Sequence, residues 1–155
     1  MKTTPVGAGA PDRVGDRVEA LLRRLALPCL RLSLGAVYLW FGALKVGGRS
    51  PVAELVQATV PWVHDAWLLP ALGWVEIVLG LALVVGRPRR LAPAAVAVHL
   101  VGTFLVFFEA PSLAVTGGNV LLLTTTGEFV LKNVVLVCAA LTILALDGER
   151  PAVVR

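Results

Sequence analysis

Four long apolar blocks, parted by short polar stretches, constrain what this chain can become. They run from Leu25 to Lys45, Trp67 to Gly86, Leu91 to Phe108 and Phe129 to Leu146. As helices rising 1.5 Å per residue they measure roughly 27 to 32 Å, about one hydrocarbon thickness each. Strands of a lipid-facing barrel would need alternating polarity, which these unbroken runs lack. Only 15% of the residues are charged against 57% hydrophobic, which excludes a disordered chain and argues against an ordinary soluble domain. The sequence therefore predicts an all-α integral membrane four-helix bundle. In this division Pro28, Pro70 and Pro93 fall in first helical turns, where a missing N–H costs little.

Cations set the predicted orientation. Lys2, Arg13, Arg17, Arg23 and Arg24 precede the first block, Arg87, Arg89 and Arg90 separate the second from the third, and Arg150 and Arg155 follow the fourth. The other two loops hold only Arg49, with Lys45 at a helix end. The positive-inside bias places both termini in the cytoplasm. The formal charge of +4 follows this topology, and without a basic groove interleaved with aromatics nucleic-acid binding is not supported. Residues 1 to 11 read as a tail without an apolar signal-peptide core. From Asp12 to Ala26, Val14, Val18, Leu21, Leu22 and Leu25 recur at helical spacing opposite Arg13, Asp16, Arg17, Arg23 and Arg24, an amphipathic interfacial helix. The expected organisation is a cytoplasmic tail and interfacial helix over 1–24, a transmembrane domain over 25–146 and a cytoplasmic tail over 147–155.

The two remaining loops carry local signals. Ser50 and Pro51 read as N-cap and first residue of a short helix reaching Thr59, followed by Pro61, Trp62, His64, Asp65 and Trp67, whose tryptophans suit a membrane interface. In the stretch from Ala110 to Gly127, Gly117, Gly118 and Asn119 stand between apolar residues and predict a hairpin. Thr125 and Glu128 have the spacing of a capping box. Gly35 and Gly42 lie seven apart, as do Gly73 and Gly80, which lets two backbones approach along one seam.

Catalytic and metal signatures are absent: no CxxC, no HExxH, no phosphate-binding glycine loop and no catalytic triad spacing. Cys29 and Cys138 read as buried hydrophobes in different helices. What stands out is an intramembrane polar seam of Arg31, Lys45, Glu76, His99, Glu109, Glu128 and Lys132. At 100° per residue Arg31, Gly35, Tyr38, Gly42 and Lys45 share one face within about 80°, and Glu76 shares the Gly73 and Gly80 face. Counted from the cytoplasmic ends, Arg31 lies roughly 9 Å deep, His99 roughly 12 Å and Glu76 roughly 15 Å, which pairs Arg31 with Glu76. Lys45, Glu109, Glu128 and Lys132 gather at the outer boundary in this reading. A charge near the bilayer centre costs about 3 kcal/mol even on lenient scales and is kept when it pairs or works. Packing glue and a quinone or proton site are both open for the deep group.

Three stretches carry a family resemblance. Arg31-Leu-Ser-Leu-Gly35, Trp40-Phe-Gly42-Ala-Leu-Lys45 and Gly73-Trp-Val-Glu76-Ile-Val-Leu-Gly80 resemble the DoxX-like superfamily of small bacterial four-helix membrane proteins. Gly127-Glu-Phe-Val-Leu-Lys132-Asn133 is similar to its YkgB-type branch. The resemblance implies a multi-pass protein of the bacterial plasma membrane associated with redox and oxidative-stress systems. It implies a membrane subunit or scaffold rather than an enzyme in its own right, with a polar pocket open to quinone, no other cofactor, and a soluble oxidoreductase as partner beside the lipid bilayer. The alternative is a small solute or proton-coupled transporter centred on Glu76, Arg31 and His99.

Overall fold

The computed structural model describes residues 13–50, 52–59 and 67–148. The expectations for the tail before residue 13, for Pro51, for Pro61 to Asp65 and for the segment from 149 onward lie outside the described residues. Four helices in it are long and apolar enough to cross a membrane: Val14–Val46, Leu68–Val85, Leu91–Glu109 and Thr125–Asp147.

The first span belongs to α1 (Arg13–Val46), one helix of 34 residues. The amphipathic stretch is helical as its spacing predicts, and it runs into the span without a break. Pro28 therefore lies inside a helix rather than in a first turn. After α1 a short α2 (Ala53–Thr59) forms, with the Val52 N–H donating to Ser50 Oγ at 3.4 Å. The second span is α3 (Leu68–Val85), ended by Gly86 at φ 74°, a left-handed cap that favours glycine. Gly86 and Arg87 both donate their N–H to Ala82 O, at 2.9 and 3.1 Å. Pro70 and Pro93 occupy the first turns of α3 and α4 (Leu91–Gly102), as predicted.

The third and fourth spans are each interrupted. After α4 the chain tightens into a 3-10 turn (Thr103–Leu105) before α5 (Val106–Glu109). The fourth span consists of α7 (Thr125–Leu131) and α8 (Asn133–Gly148), separated by a turn at Lys132. Between the spans lie α6 (Pro111–Ala114) and the antiparallel strands β1 (Val115–Thr116) and β2 (Asn119–Leu123). Gly117 and Gly118 have φ of 59° and 73°, the two positive values a tight hairpin turn demands. The cap of α7 is one residue earlier than the capping-box reading. Thr124 Oγ1 accepts from Gly127 N at 3.1 Å, and Glu128 instead stands 3.9 Å from Lys132 in an exposed pair one turn on.

Packing is closest between α1 and α3, and α4 lies chiefly against α8. The glycines explain the first contact. A Cβ on Gly42 would stand 2.6 Å from Gly73 O, and one on Gly80 would stand 2.9 Å from Gly35 O. The two antiparallel backbones thus meet at Gly35 with Gly80 and at Gly42 with Gly73, the seam predicted from the seven-residue spacing. Leu34, Tyr38, Leu83, Val96, Leu100 and Ile143 form the core between the helices. A second apolar cluster around Leu55, Val106, Ala114 and Val130 holds α2 over the end of the bundle that carries the hairpin. Cys29 and Cys138 are free thiols on the exposed surface, not in the core, because both fall on helix faces turned away from the bundle.

Candidate functional site

The α1–α3 register decides which charges meet. With Gly35 level with Gly80 and Gly42 level with Gly73, Glu76 is level with residue 39 and Arg31 with residue 84. Arg31 is thus about 12 Å along the axis from Glu76, twice the offset that depth counting gave. The expected Arg31–Glu76 pair does not form. Arg31 pairs with Asp147 near the end of α8, and its Nη1 would lie 2.6 Å from a Cβ on Gly86. It ties α1 to the ends of α3 and α8. The apolar block stops at Leu146, which by sequence puts Asp147 in the tail, whereas α8 continues to Gly148 and carries Asp147 into the bundle.

Lys45 occupies the position expected for Arg31. It is 6% exposed and Glu76 is 7% exposed; the Lys45 ammonium donates to Glu76 Oε1 at 2.8 Å and Oε2 at 2.6 Å. The side chain reaches back from the end of α1 across the Gly42–Gly73 contact, and its charge also lies 5.9 Å from the centre of the Phe41 ring. On the other side of Glu76, His99 Nε2 is 3.7 Å from Oε1, and His99 Nδ1 lies 3.0 Å from the hydroxyl of Tyr38. That hydroxyl is also 3.2 Å from Val96 O. If it donates to Val96 O, His99 donates from Nδ1 and keeps Nε2 as an acceptor. If it donates to Nδ1, the imidazole carries its proton on Nε2. The direction in which this hydroxyl points thus goes with the tautomer of His99, with Nε2 an acceptor in one arrangement and a donor in the other.

This polar chain of Lys45, Glu76, His99 and Tyr38 lies in the wall of a cavity of about 610 Å³, within the range of small-molecule sites. Apolar side chains from α1, α3, α4, α7 and α8 form most of the remaining wall, and Val52 with Leu55 and Val56 of α2 roofs it. The breaks in the third and fourth spans both border it. Asn133 Nδ2 donates to Thr103 Oγ1 at 2.9 Å, and Thr103 in turn donates to Leu100 O at 2.6 Å. Irregular backbone at membrane depth is tolerated where it lines a cavity. Some lining residues, Leu105, Phe129 and Val135, are also exposed on the outer surface of the spans, so the cavity opens sideways through a surface that faces lipid.

The remaining seam residues are not part of the site's polar chain. Glu109 is exposed at the end of α5, and Lys132 and Glu128 keep most of their side chains on the surface, although the Lys132 stem borders the cavity. Tyr38, the chain's single tyrosine, joins the site beyond the predicted seam residues, and its place on the Arg31–Lys45 face is its one signal in the sequence. Asn133, which follows Lys132 in the Gly127–Asn133 stretch, has no further signal of its own in the sequence. Among the described residues no cluster of His, Cys, Asp or Glu is arranged to hold a metal.

A multi-pass membrane bundle with a glycine-packed helix pair and an ionic chain beside an apolar cavity is the class these features define. The family model described as DoxX matches residues 26–109, more than half of the chain and all of the α1–α3 seam, the polar chain included. The protein belongs to the DoxX family. Neither the curated proteins nor the solved structures yield a match.

Proposed function

We propose that the protein is the membrane subunit of a redox system. It holds a lipid-soluble quinone in the cavity beneath α2 and serves a soluble oxidoreductase docked on the membrane surface. The observation that carries this reading is the chain Lys45–Glu76–His99–Tyr38 set into an otherwise apolar cavity that opens toward lipid. A quinone head group is a flat ring with two carbonyl acceptors and an apolar tail, and the residues present fit it. Phe41 and Phe129, in edge contact at 5.5 Å, supply apolar ring surface, and the sideways opening gives a tail its way into the bilayer. His99 Nε2, only loosely engaged at 3.7 Å from Glu76, is the donor that can turn to a carbonyl. Bound quinone would supply electron transfer, which no side chain here provides. Glu76 and Lys45 neutralise each other, so the site accepts a neutral ligand without leaving a buried charge unpaired.

Binding is the direct test. A photoreactive short-chain quinone added to reconstituted protein is expected to label α1 or α8 at the cavity wall. His99→Leu is expected to weaken binding about tenfold, the equivalent of one hydrogen bond of roughly 1.4 kcal/mol. Absence of saturable binding to the unmodified protein would remove the reading. The transporter alternative needs a wet path to both faces, and the glycine contacts and the Arg31–Asp147 pair argue against one toward the termini. Proteoliposomes are accordingly expected to take up protons no faster than empty vesicles, whereas uptake abolished by Glu76→Gln would favour transport.

The proposal also sets both termini and the 87–90 turn in the cytoplasm, from the excess of arginine at that end of the bundle. With Cys29 and Cys138 replaced by serine, Arg49→Cys is expected to react with an impermeant maleimide in intact cells and Arg89→Cys only after lysis. The reverse pattern would invert the orientation.

A further inference from the structure

The hairpin leaves an apolar surface that no described part of the chain covers. Val120, Leu121 and Leu122 are 75%, 87% and 56% exposed, and Phe108, just before it, is 80% exposed. Val115 and Thr116 pair with Leu123 and Asn119, so Val120, Leu121 and Leu122 bulge from the ribbon with no residue opposite them on β1, three bulky apolar side chains in a row left uncovered. Ribbons in water put polar or charged residues on at least one face and protect their edges with charge. Here no residue between Glu109 and Glu128 is charged.

The root of this ribbon is fixed. Thr124 N donates to Ala114 O at 3.0 Å, and Ala114 and Val115 pack into the cluster that carries α2. A Cβ on Gly127 would collide with the Ala114 carbonyl, so α6 and α7 are locked together and the strands project from a rigid base. Phe108 belongs to the third membrane span, and its exposed ring continues the lipid-facing surface of that span toward the hairpin. The open strand edges set a limit on depth: their unpaired N–H and C=O groups could not be satisfied in hydrocarbon. An apolar, uncharged ribbon with polar edges fits only the boundary between head groups and acyl chains.

We propose that the β1–β2 hairpin is not a water-exposed loop but an interfacial anchor, with Val120, Leu121 and Leu122 inserted among the lipids of the leaflet at its end of the bundle. It would fix the height of α7 and of the cavity mouth relative to that leaflet. The inference is independent of what the cavity binds.

Spin labels test it. In a variant lacking Cys29 and Cys138, Leu121→Cys is labelled with a nitroxide in lipid vesicles and its collisions with oxygen and with a water-soluble nickel chelate are compared. Val98→Cys, on the exposed face of the third span, marks the bilayer, and Arg49→Cys marks water. The label at 121 is expected to favour oxygen over nickel, with a ratio between those of the two references. A ratio equal to that at 49 would place the hairpin in water and overturn the proposal. So would a label at 121 screened from both reagents with dipolar broadening, which would mean that a second copy covers the strands.

Discussion

Glu76→Ala is expected to lower the unfolding temperature in mild detergent by about 10 °C. The change removes the partner of the Lys45 ammonium, which cannot regain water where it stands. Breaking a buried pair from one side costs about 3 to 5 kcal/mol, and a chain of this size loses roughly 2 to 4 °C per kcal/mol. Lys45→Met together with Glu76→Leu is expected to return most of the loss, because an apolar pair of similar volume needs no compensation for charge burial. Arg31→Leu is the contrasting case. Arg31 pairs with Asp147 at the other end of α1, so combining it with Glu76→Leu should give the sum of the two single effects. A double-mutant cycle read by thermal unfolding separates the two outcomes. Coupling between Arg31 and Glu76, or strict additivity between Lys45 and Glu76, would contradict the pairing described here.

That swap of partners shows what could be read from the sequence. Apolar block length located all four spans, the Gly-Gly-Asn turn located the hairpin, and the seven-residue spacing located the glycine seam, because each is a local pattern with one physical solution. Which cation meets which anion depends on helix register, and register is set by where the glycines stack. The glycine positions are legible in the sequence, but depth counted from the block ends assumes that all blocks start level. α1 does not, since its helix begins at Arg13, well before the apolar block. Asp147 was lost for a related reason: α8 continues to Gly148, past the last apolar residue. The cavity was not legible at all. It arises because α4 and α8 pack on each other and α1 on α3, leaving a gap that α2 roofs, and no single segment encodes that gap.

The breaks at Thr103 and Lys132 fit the same account. Both interrupt spans that border the cavity, and the Asn133–Thr103 hydrogen bond joins them in its wall. A continuous helix in either place would carry a different side chain into the space. The α1–α3 pair, by contrast, is uninterrupted through the membrane and carries the charges. One half of the bundle is thus a rigid backbone contact holding Lys45, Glu76 and Tyr38, and the other half supplies His99 and shapes the space that the polar chain faces.

Gly42→Ala tests that division and is expected to destabilise the protein by about 3 kcal/mol, at the upper end of overpacking costs. The new methyl would lie 2.6 Å from Gly73 O, 2.8 Å from Ile77 Cγ1 and 3.0 Å from Ile77 N. Two of these are backbone atoms that cannot rotate away, so the helices must part. Gly102→Ala is the control: it lies in the third span with nothing within 4 Å of its Cβ position, and alanine there should be neutral or stabilising. Gly42→Ala with Gly73→Ala should cost less than the sum, since one separation of the helices admits both methyls. Lys45 Cβ would be only 2.9 Å from a Cβ on Gly73, so Gly73→Ala displaces the lysine whose ammonium Glu76 holds. Quinone binding is then expected to fall with Gly73→Ala. Equal thermal stability of the Gly42 and Gly102 variants would show that the two backbones do not meet where the structure joins them.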